Sequence, residues 1–310
     1  MYAIEIQNFS KNYEVGFWKK ELRPAIRNLS LSVEVGETLG FLGPNGAGKT
    51  TTLKLLMGVV FPTSGSATIL GRHFHDPEVK RRIGFLPEQP YFYDYLSATE
   101  LLDYYASLSG VNARDRKQRI PRLLEQVGLG DAGNKQLRKF SKGMLQRVGI
   151  AQAIVHDPEV VFLDEPMSGL DPIGRHEIRE LIQGLKDAGK TIFFSTHILS
   201  DAEALCDRVA VVHKGELRGI GVISELRSSA GGKSEVIWEG SGALQAVARL
   251  LIESHVTGEL VRATVASQDL DSVLESLRMQ HGRLISVTPL HGTLEEYFLS
   301  KTSEVETARV

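Results

Sequence analysis

The stretch that decides the fold is "ETLGFLGPNGAGKT", residues 37–50. A short apolar run, "TLGFL", is followed directly by a glycine-rich loop that ends in a lysine and a threonine. The spacing matches the phosphate-binding motif G-x-x-x-x-G-K-[ST], whose glycines let the backbone approach a triphosphate closely. Its amides form a nest of partial positive charge at the start of a helix. The alternative is a glycine-rich turn with a solvated lysine.

The residues of this loop and the first threonines of the helix are the predicted nucleotide-binding residues. They are Gly43, Pro44, Asn45, Gly46, Ala47, Gly48, Lys49, Thr50 and Thr51. Lys49 is expected to reach the β- and γ-phosphates, and Thr50 is expected to ligate Mg²⁺. A nucleoside triphosphate with Mg²⁺ is therefore the predicted ligand.

Two acids and a histidine follow later strands. The apolar run "VVFLDEP", residues 160–166, ends in Asp164 and Glu165. In a nucleotide-binding sheet, Asp164 would orient Mg²⁺ through its water shell, and Glu165 would polarise the attacking water as general base. His197 ends the next apolar run, "TIFFSTH". A histidine in that place either joins the chemistry or serves as a capping or packing residue.

Composition narrows the class of protein. The chain has 310 residues, 42% of them hydrophobic and 24% charged, with a formal net charge of −2. This balance gives no basic field that would indicate nucleic acid as the main partner. No stretch approaches 18 uninterrupted apolar residues, so no span of a membrane is predicted. A single cysteine, Cys206, excludes an internal disulfide, and early charges at the N-terminus argue against a signal peptide.

Hydrophobic patterning predicts two domains. Alternating segments near the N-terminus indicate antiparallel strands, and the region from about 95 to 155 is helical in pattern. "EVVFLDEP" and "KTIFFSTH" flank a helix and are typical of strands buried on both faces of a parallel sheet. We predict a nucleotide-binding domain over 1–225, with a helical subdomain at about 90–158, then a Ser/Gly-rich linker over 226–233 and a small α+β domain over 234–310.

The small domain is predicted to have the order β-α-β-α-β with a last helix. Its helices are predicted in "ALQAVARLLIESH", "DLDSVLESLRMQ" and "TLEEYFLSK". The second carries an apolar stripe of Leu270, Val273, Leu274 and Leu277. This stripe serves either the local core or an interface, and the domain shows no catalytic motif.

Taken together, the motifs resemble a known family. The phosphate loop, Gln89, "FSKGM", "FLDEP", "SGLD" and His197 occur in the order and at the spacings of the ATP-binding cassette (ABC) transporter ATPases. The resemblance covers roughly residues 1–225. It implies an α/β fold of the P-loop NTPase type, with a mostly parallel core sheet, an antiparallel β subdomain and a helical subdomain. It also implies ATP as the nucleotide and hydrolysis as the activity.

The resemblance assigns further residues. It implies that Tyr13 stacks on adenine, although Phe17 and Trp18 are close by. It implies that Gln89 senses Mg²⁺ and the attacking water, and that His197 contacts the γ-phosphate. Ser141 and Gly143 match the signature loop that caps the γ-phosphate of the opposite subunit, and Asp171 matches the loop that crosses the dimer interface.

The signature departs from the family pattern Leu-Ser-Gly-Gly-Gln. Here the residues are "FSKGM", 140–144, so Lys142 adds a charge that either reaches phosphate or faces water. The serine and the second glycine remain, at the predicted start of a helix, so anion capture is retained. This variant and the C-terminal ending "TPLHGTLEEYFLS" resemble the subgroup of drug, sodium and lipid exporters.

An aromatic cluster follows Gln89. Tyr91, Phe92, Tyr93 and Tyr95 lie in a loop-like segment and form either part of the core or a contact surface for a membrane subunit.

The resemblance implies two kinds of partner: separate permease subunits and a second copy, arranged head to tail. These place the chain on the cytoplasmic face of the inner membrane, without nucleic acid. The rival class, a cassette ATPase acting on nucleic acid or ribosomes, is disfavoured by the single cassette and the lack of heptads or a basic tract.

Overall fold

In the computed structural model, the described residues are 1–16, 20–223, 225 and 232–290. The chain divides into two compact units, Met1–Gly221 and Val222–Val310. Three predicted features fall wholly or mostly outside the described residues: the aromatic pair Phe17 and Trp18, most of the linker, and the last helix.

One sheet of the first unit is antiparallel. Its strands are β1 (Tyr2–Val15), β2 (Glu21–Glu34), β4 (Ser64–Ile69) and β5 (Arg72–His73), in the order β2-β1-β4-β5. The alternation in β1 and β2 buries Ile4, Ile6 and Leu29. This is the antiparallel subdomain that the sequence predicts.

The other sheet of this unit carries the nucleotide motifs. It has the order β10-β9-β3-β8-β7-β6. The strands are β3 (Thr38–Leu42), β6 (Ile83–Leu86), β7 (Val160–Asp164), β8 (Thr191–Thr196), β9 (Arg208–His213) and β10 (Glu216–Val222). Strand β3 pairs in parallel with β8 and β9, and β7 pairs in parallel with β6 and β8. Every residue of β3, β7 and β8 is buried, as their apolar runs predict.

Seven helices of this unit are described. They are α1 (Lys49–Leu56), α2 (Pro77–Lys80), α3 (Ala98–Leu108), α4 (Ala113–Gln126), α5 (Lys142–Ile154), α6 (Pro172–Asp187) and α7 (Leu199–Leu205). Helices α3, α4 and α5 contribute to one apolar cluster that includes Leu102, Leu124 and Val148. This cluster is the core of the helical subdomain. Among the described residues, no helix is both long and apolar enough to cross a membrane.

The second unit is a four-stranded sheet with helices. The strands are β11 (Lys233–Glu239), β12 (Leu251–Thr257), β13 (Leu260–Ala266) and β14 (Arg283–Leu290), in the order β12-β13-β11-β14. The helices are α8 (Leu244–Val247) and α9 (Leu270–Met279). Trp238 is fully buried in the core of this unit, together with Val261 and Val273.

One predicted helix of this unit is wrong. The segment 243–255 holds only the short α8 and a 3₁₀ turn before it enters β12. Strand β12 pairs antiparallel with β13, and Gly258, at φ +64°, lies in the turn between them. The hairpin's backbone pairing therefore overrides the helical spacing of the leucines. The sequence does indicate this hairpin, because two β-branched residues, Val256 and Thr257, precede Gly258.

The apolar stripe of α9 belongs to the local core. Val273 and Leu277 are buried, and Leu270 and Leu274 pack against the same cluster. The local-core interpretation is therefore confirmed for these four side chains.

We expect the first unit to fold without the second. Among the described residues, the apolar clusters of the first unit lie within residues 3–217, and that of the second lies within 236–287. A chain that stops after Ser224 should therefore melt cooperatively and bind ATP with the affinity of the full chain, measured by thermal denaturation and nucleotide titration. A folded truncation that has lost ATP affinity would show that the second unit helps to build the site.

Candidate functional site

The glycine loop connects the end of β3 to the start of α1. Gly48 precedes the helix at φ +107°, where a side chain is strained. A Cβ atom there would also lie 2.5 Å from Cδ1 of Ile26 and 2.7 Å from the carbonyl oxygen of Ala25. Glycine is therefore required by packing against β2 as well as by the approach of a ligand.

Lys49 is buried in this loop, with 6% of its surface exposed. Its Nζ donates to the carbonyl oxygen of Gly43 at 2.7 Å and lies 3.1 Å from Oε1 of Glu165. It also donates to the carbonyl of Pro44 at 3.3 Å. The ammonium group thus connects the glycine loop to the end of β7, and the solvated-lysine alternative is wrong.

Glu165 has an unusual backbone conformation. Its φ of +48° is in the left-handed region, which costs a non-glycine residue about 1–2 kcal/mol. Its Oε2 lies 2.8 Å from Nδ1 of His197. Because a carboxylate only accepts, Nδ1–H donates, and in the neutral ring Nε2 is left as an acceptor. The turn after β7 therefore places one carboxylate between an ammonium group and an imidazole.

Asp164 is the last residue of β7 and is 1% exposed. Its Oδ1 accepts a hydrogen bond from Oγ of Ser195 at 2.6 Å. Burial raises the pKa of Asp164, and hydrogen bonds from the hydroxyls of Ser195 and Thr50 act in the opposite direction. A carboxylate beside a threonine hydroxyl is an oxygen donor set of the kind that Mg²⁺ prefers.

No metal cage is present among the described residues, since none of their His, Cys, Asp and Glu side chains form a group of three suited to an ion. Mg²⁺ in phosphate-transfer sites usually takes only one or two protein ligands and completes its shell with phosphates and water. Thr50 and Asp164 therefore fit Mg²⁺ in number as well as in type.

A cavity of about 430 Å³ adjoins the glycine loop, and Asp164 is not among its lining residues. Its lining includes six of the predicted loop and helix-start residues, the predicted base and the histidine: Asn45, Gly46, Gly48, Lys49, Thr50, Thr51, Glu165 and His197. It also includes Ala25, Glu88 and Ser168, which the sequence analysis missed. Ser168 belongs to the "SGLD" motif and Glu88 adjoins Gln89, so both could have been found as neighbours of residues that the motifs identify. Nothing in the sequence indicates Ala25.

Several predicted residues lie outside this lining. Gly43 and Pro44 support Lys49 through their carbonyls, and Ala47 is buried. Gln89 is exposed, and its neighbour Glu88 lines the cavity instead. Tyr13 is 37% exposed on β1, with Nζ of Lys11 5.1 Å from the ring centroid.

The signature and "SGLD" residues form helix starts. Oγ of Ser141 accepts from the backbone N–H of Met144 at 3.2 Å and caps α5. Asp171 caps α6 by accepting from the N–H of Gly174 at 2.8 Å. Ser141, Gly143 and Asp171 do not line the cavity of this chain.

Lys142 lies against its own chain. A Cβ atom built on Gly169 would lie 2.1 Å from Nζ of Lys142, so the ammonium group covers this glycine. The start of α5 is therefore packed on the loop 168–171. Lys142 is also exposed, so its contact with phosphate stays a prediction beside the alternative that it faces water.

The comparisons with known proteins agree with this geometry. The family model described as ABC transporter matches residues 26–168. An uncharacterized ABC transporter ATP-binding protein of Synechocystis is 45% identical over 304 residues, which cover 97% of this chain and 85% of that protein.

The chain belongs to the ABC transporter ATP-binding proteins.

Two other similarities extend this assignment. The linearmycin resistance ATP-binding protein LnrL of Bacillus subtilis is 31% identical over 305 residues, covering 94% of this chain and 97% of that protein. A solved dimeric ATP-binding cassette, in a post-hydrolysis state with ADP and Pi, is 26% identical with a TM-score of 0.64. The match covers 71% of this chain and 98% of the solved one. The protein is therefore an ABC ATPase with the P-loop NTPase fold.

We expect Lys49→Ala to abolish ATP hydrolysis and to weaken ATP binding strongly. The substitution removes the buried ammonium group and leaves the carboxylates of Asp164 and Glu165 adjacent without it. Lys54→Ala is the matched control, because Lys54 is exposed on the same helix. Nucleotide titration and phosphate release measure both variants. Tight nucleotide binding by Lys49→Ala would contradict the assignment of this loop.

Proposed function

We propose that this chain is the ATP-hydrolysing subunit of an export-type transporter and drives movement of a substrate through separate permease subunits. The observation that carries the hydrolytic part is the carboxylate of Glu165, held between Lys49 and His197 beside the glycine loop. The export direction is supported by the "FSKGM" variant and by similarity to LnrL, a protein named for linearmycin resistance.

Hydrolysis uses the groups that line the cavity. A triphosphate in the glycine loop attracts Lys49, which exchanges its carbonyl contacts and Glu165 for the β- and γ-phosphates. Glu165 then accepts a proton from the attacking water as general base. His197 keeps Glu165 oriented through Nδ1–H. Its contact with the γ-phosphate requires a proton on Nε2 as well, since both ring nitrogens donate only in the imidazolium.

Mg²⁺ is the proposed metal ion of this site. Thr50 and Asp164 would hold it, and Gln89, in the loop after β6, would sense it together with the attacking water. When bound, the ion neutralises charge on the phosphates. Tyr13 would stack on the adenine ring from β1.

A second copy completes the site. Ser141 and Gly143 lie outside the cavity of their own chain, yet they begin a 13-residue helix whose N-terminal amides suit an anion. Ser141 accepts from Met144, so its own O–H remains able to donate. In a head-to-tail homodimer these groups cap the γ-phosphate of the other copy, and Asp171 lies at the dimer interface. The dimeric state of the solved cassette supports this arrangement.

Exposed tyrosines after Gln89 form the proposed contact with the permease. Tyr91, Tyr93 and Tyr95 are 93%, 52% and 61% exposed. The ring of Tyr93 lies 6.3 Å from that of Tyr104, which borders a 630 Å³ groove between α3 and α4. Exposed aromatic clusters of this kind are typical of interfaces. Docking here places the chain on the cytoplasmic face of the inner membrane.

Phe92 is different from its neighbours. It packs against the apolar cluster of the helical subdomain. The aromatic cluster thus divides, with Phe92 in the core and the three tyrosines on the surface.

Glu165→Gln tests the base. The substitution keeps the shape of the side chain and removes its basicity, so we expect phosphate release to fall by about 10²–10⁴-fold while ATP binding persists. With hydrolysis stalled, ATP should hold a dimer, seen as earlier elution in size-exclusion chromatography. Wild-type turnover in this variant would assign the base elsewhere, His197 being the next candidate.

The permease contact is tested by replacing Tyr91, Tyr93 and Tyr95 with Ser. The variant should bind ATP normally and lose co-purification with the membrane subunit, because the exposed rings carry the proposed contact. Tyr2→Ser is the control, since Tyr2 is an exposed tyrosine on β1, 47% accessible. Undiminished co-purification of the triple variant would refute the contact. Absence of any membrane partner for the wild-type chain would instead favour the rival class of cassette ATPases.

A further inference from the structure

Ser195 connects the two carboxylates of the site. It lies in β8 directly beside Asp164 of β7 in the parallel register, and it is fully buried. Its hydroxyl donates to Oδ1 of Asp164 at 2.6 Å and accepts from the backbone N–H of Glu165 at 3.1 Å. One side chain is thus bonded to two consecutive residues with different predicted tasks.

We propose that Ser195 is a positioning residue that fixes Asp164 and Glu165 relative to each other, an inference that rests on the proposed roles of those two acids. Strand β7 ends at Asp164, and the chain turns at Glu165 with φ +48°. This turn separates the two carboxylates: that of Asp164 lies beside the Thr50 hydroxyl, and that of Glu165 lies beside Lys49 and His197. The serine hydroxyl holds both sides of the turn.

A hydroxyl is suited to this position because it donates and accepts at once. An alanine would remove a donor from a carboxylate that is 1% exposed, and water has little access to replace it. The N–H of Glu165 would keep a second acceptor, the carbonyl oxygen of Ser195 at 3.1 Å. Removal of the hydroxyl therefore mainly affects the hydrogen bonding of Asp164. Because Asp164 is a proposed ligand of Mg²⁺, we expect weaker Mg²⁺-dependent nucleotide binding and slower turnover.

The same strand offers a matched control. Thr191 begins β8, is 1% exposed, and its hydroxyl accepts from the backbone N–H of Gly36 at 2.9 Å. Thr191→Val and Ser195→Ala each remove one buried hydroxyl that accepts a backbone N–H. Only Ser195 lies at the end of β8 that carries the site.

The experiment compares Ser195→Ala, Ser195→Thr and Thr191→Val in the full chain. The measurements are kcat and KM for ATP, the affinity for a fluorescent ADP analogue with Mg²⁺ and with EDTA, and the melting temperature. Partners that orient metal ligands typically contribute about 10–100-fold to metal affinity or activity. We expect Ser195→Ala to lower kcat and Mg²⁺-dependent affinity within that range, while affinity in EDTA and the melting temperature match those of Thr191→Val. Ser195→Thr should recover most of the loss.

Several results would overturn the proposal. One is a kcat of Ser195→Ala within twofold of that of Thr191→Val. Another is a loss of affinity of Ser195→Ala for the ADP analogue that is equal with Mg²⁺ and with EDTA. If Ser195→Ala does not fold, Ser195→Cys is measured in its place. A kcat of Ser195→Cys equal to that of Ser195→Thr would then overturn the proposal. Glu165→Gln separates the two levels: if it retains wild-type turnover, the proposed roles of the acids fail. If it is inactive while Ser195→Ala resembles Thr191→Val, only the inference on Ser195 fails.

Discussion

The hydrogen-bond ladders on the two sides of β8 are the constraint on which the site depends. Strand β8 pairs in parallel with β3 and with β7, so Leu42 lies beside Thr196 and Asp164 lies beside Ser195. The glycine loop, the two acids and His197 consequently start from one edge of the sheet, although they are far apart in sequence. A slip of one residue in either ladder would turn the buried side chains of that strand to the other face of the sheet and separate the acids from the loop.

Charge at this edge works against the stability of the fold. Lys49, Asp164 and Glu165 are each at most 6% exposed, so one ammonium group shares a water-poor space with two carboxylates. Taking charges out of water is expensive unless each is paired and hydrogen-bonded. The left-handed backbone of Glu165 adds strain at the same place. Burial of the apolar core beneath, in which Phe193 contacts Phe41 and Phe162, offsets these costs.

The cassette could be predicted from sequence because its signals are local. The glycine loop must follow a strand and precede a helix, and apolar runs such as "VVFLD" have the length and composition of strands buried on both faces. Ala25 could not be found in this way, because it reaches the cavity only through the packing of β2 beside Gly48. The role of Ser195 depends on the register between strands, which no local pattern encodes. In the second unit, leucines at helical spacing concealed β12, whose conformation is decided by pairing with β13.

Trp238 is fully buried in the core of the second unit, so its fluorescence emission can report on the folding of that unit. The chain has two tryptophans, Trp18 and Trp238. Replacing Trp18 by Phe would leave an indole whose emission reports the burial of Trp238 and hence the packing of that unit alone. Emission from the variant during denaturation could then be compared with loss of ATP hydrolysis, which reports the first unit. Transitions that coincide would show that the two units unfold as one cooperative system, and separate transitions would show that each has its own stability.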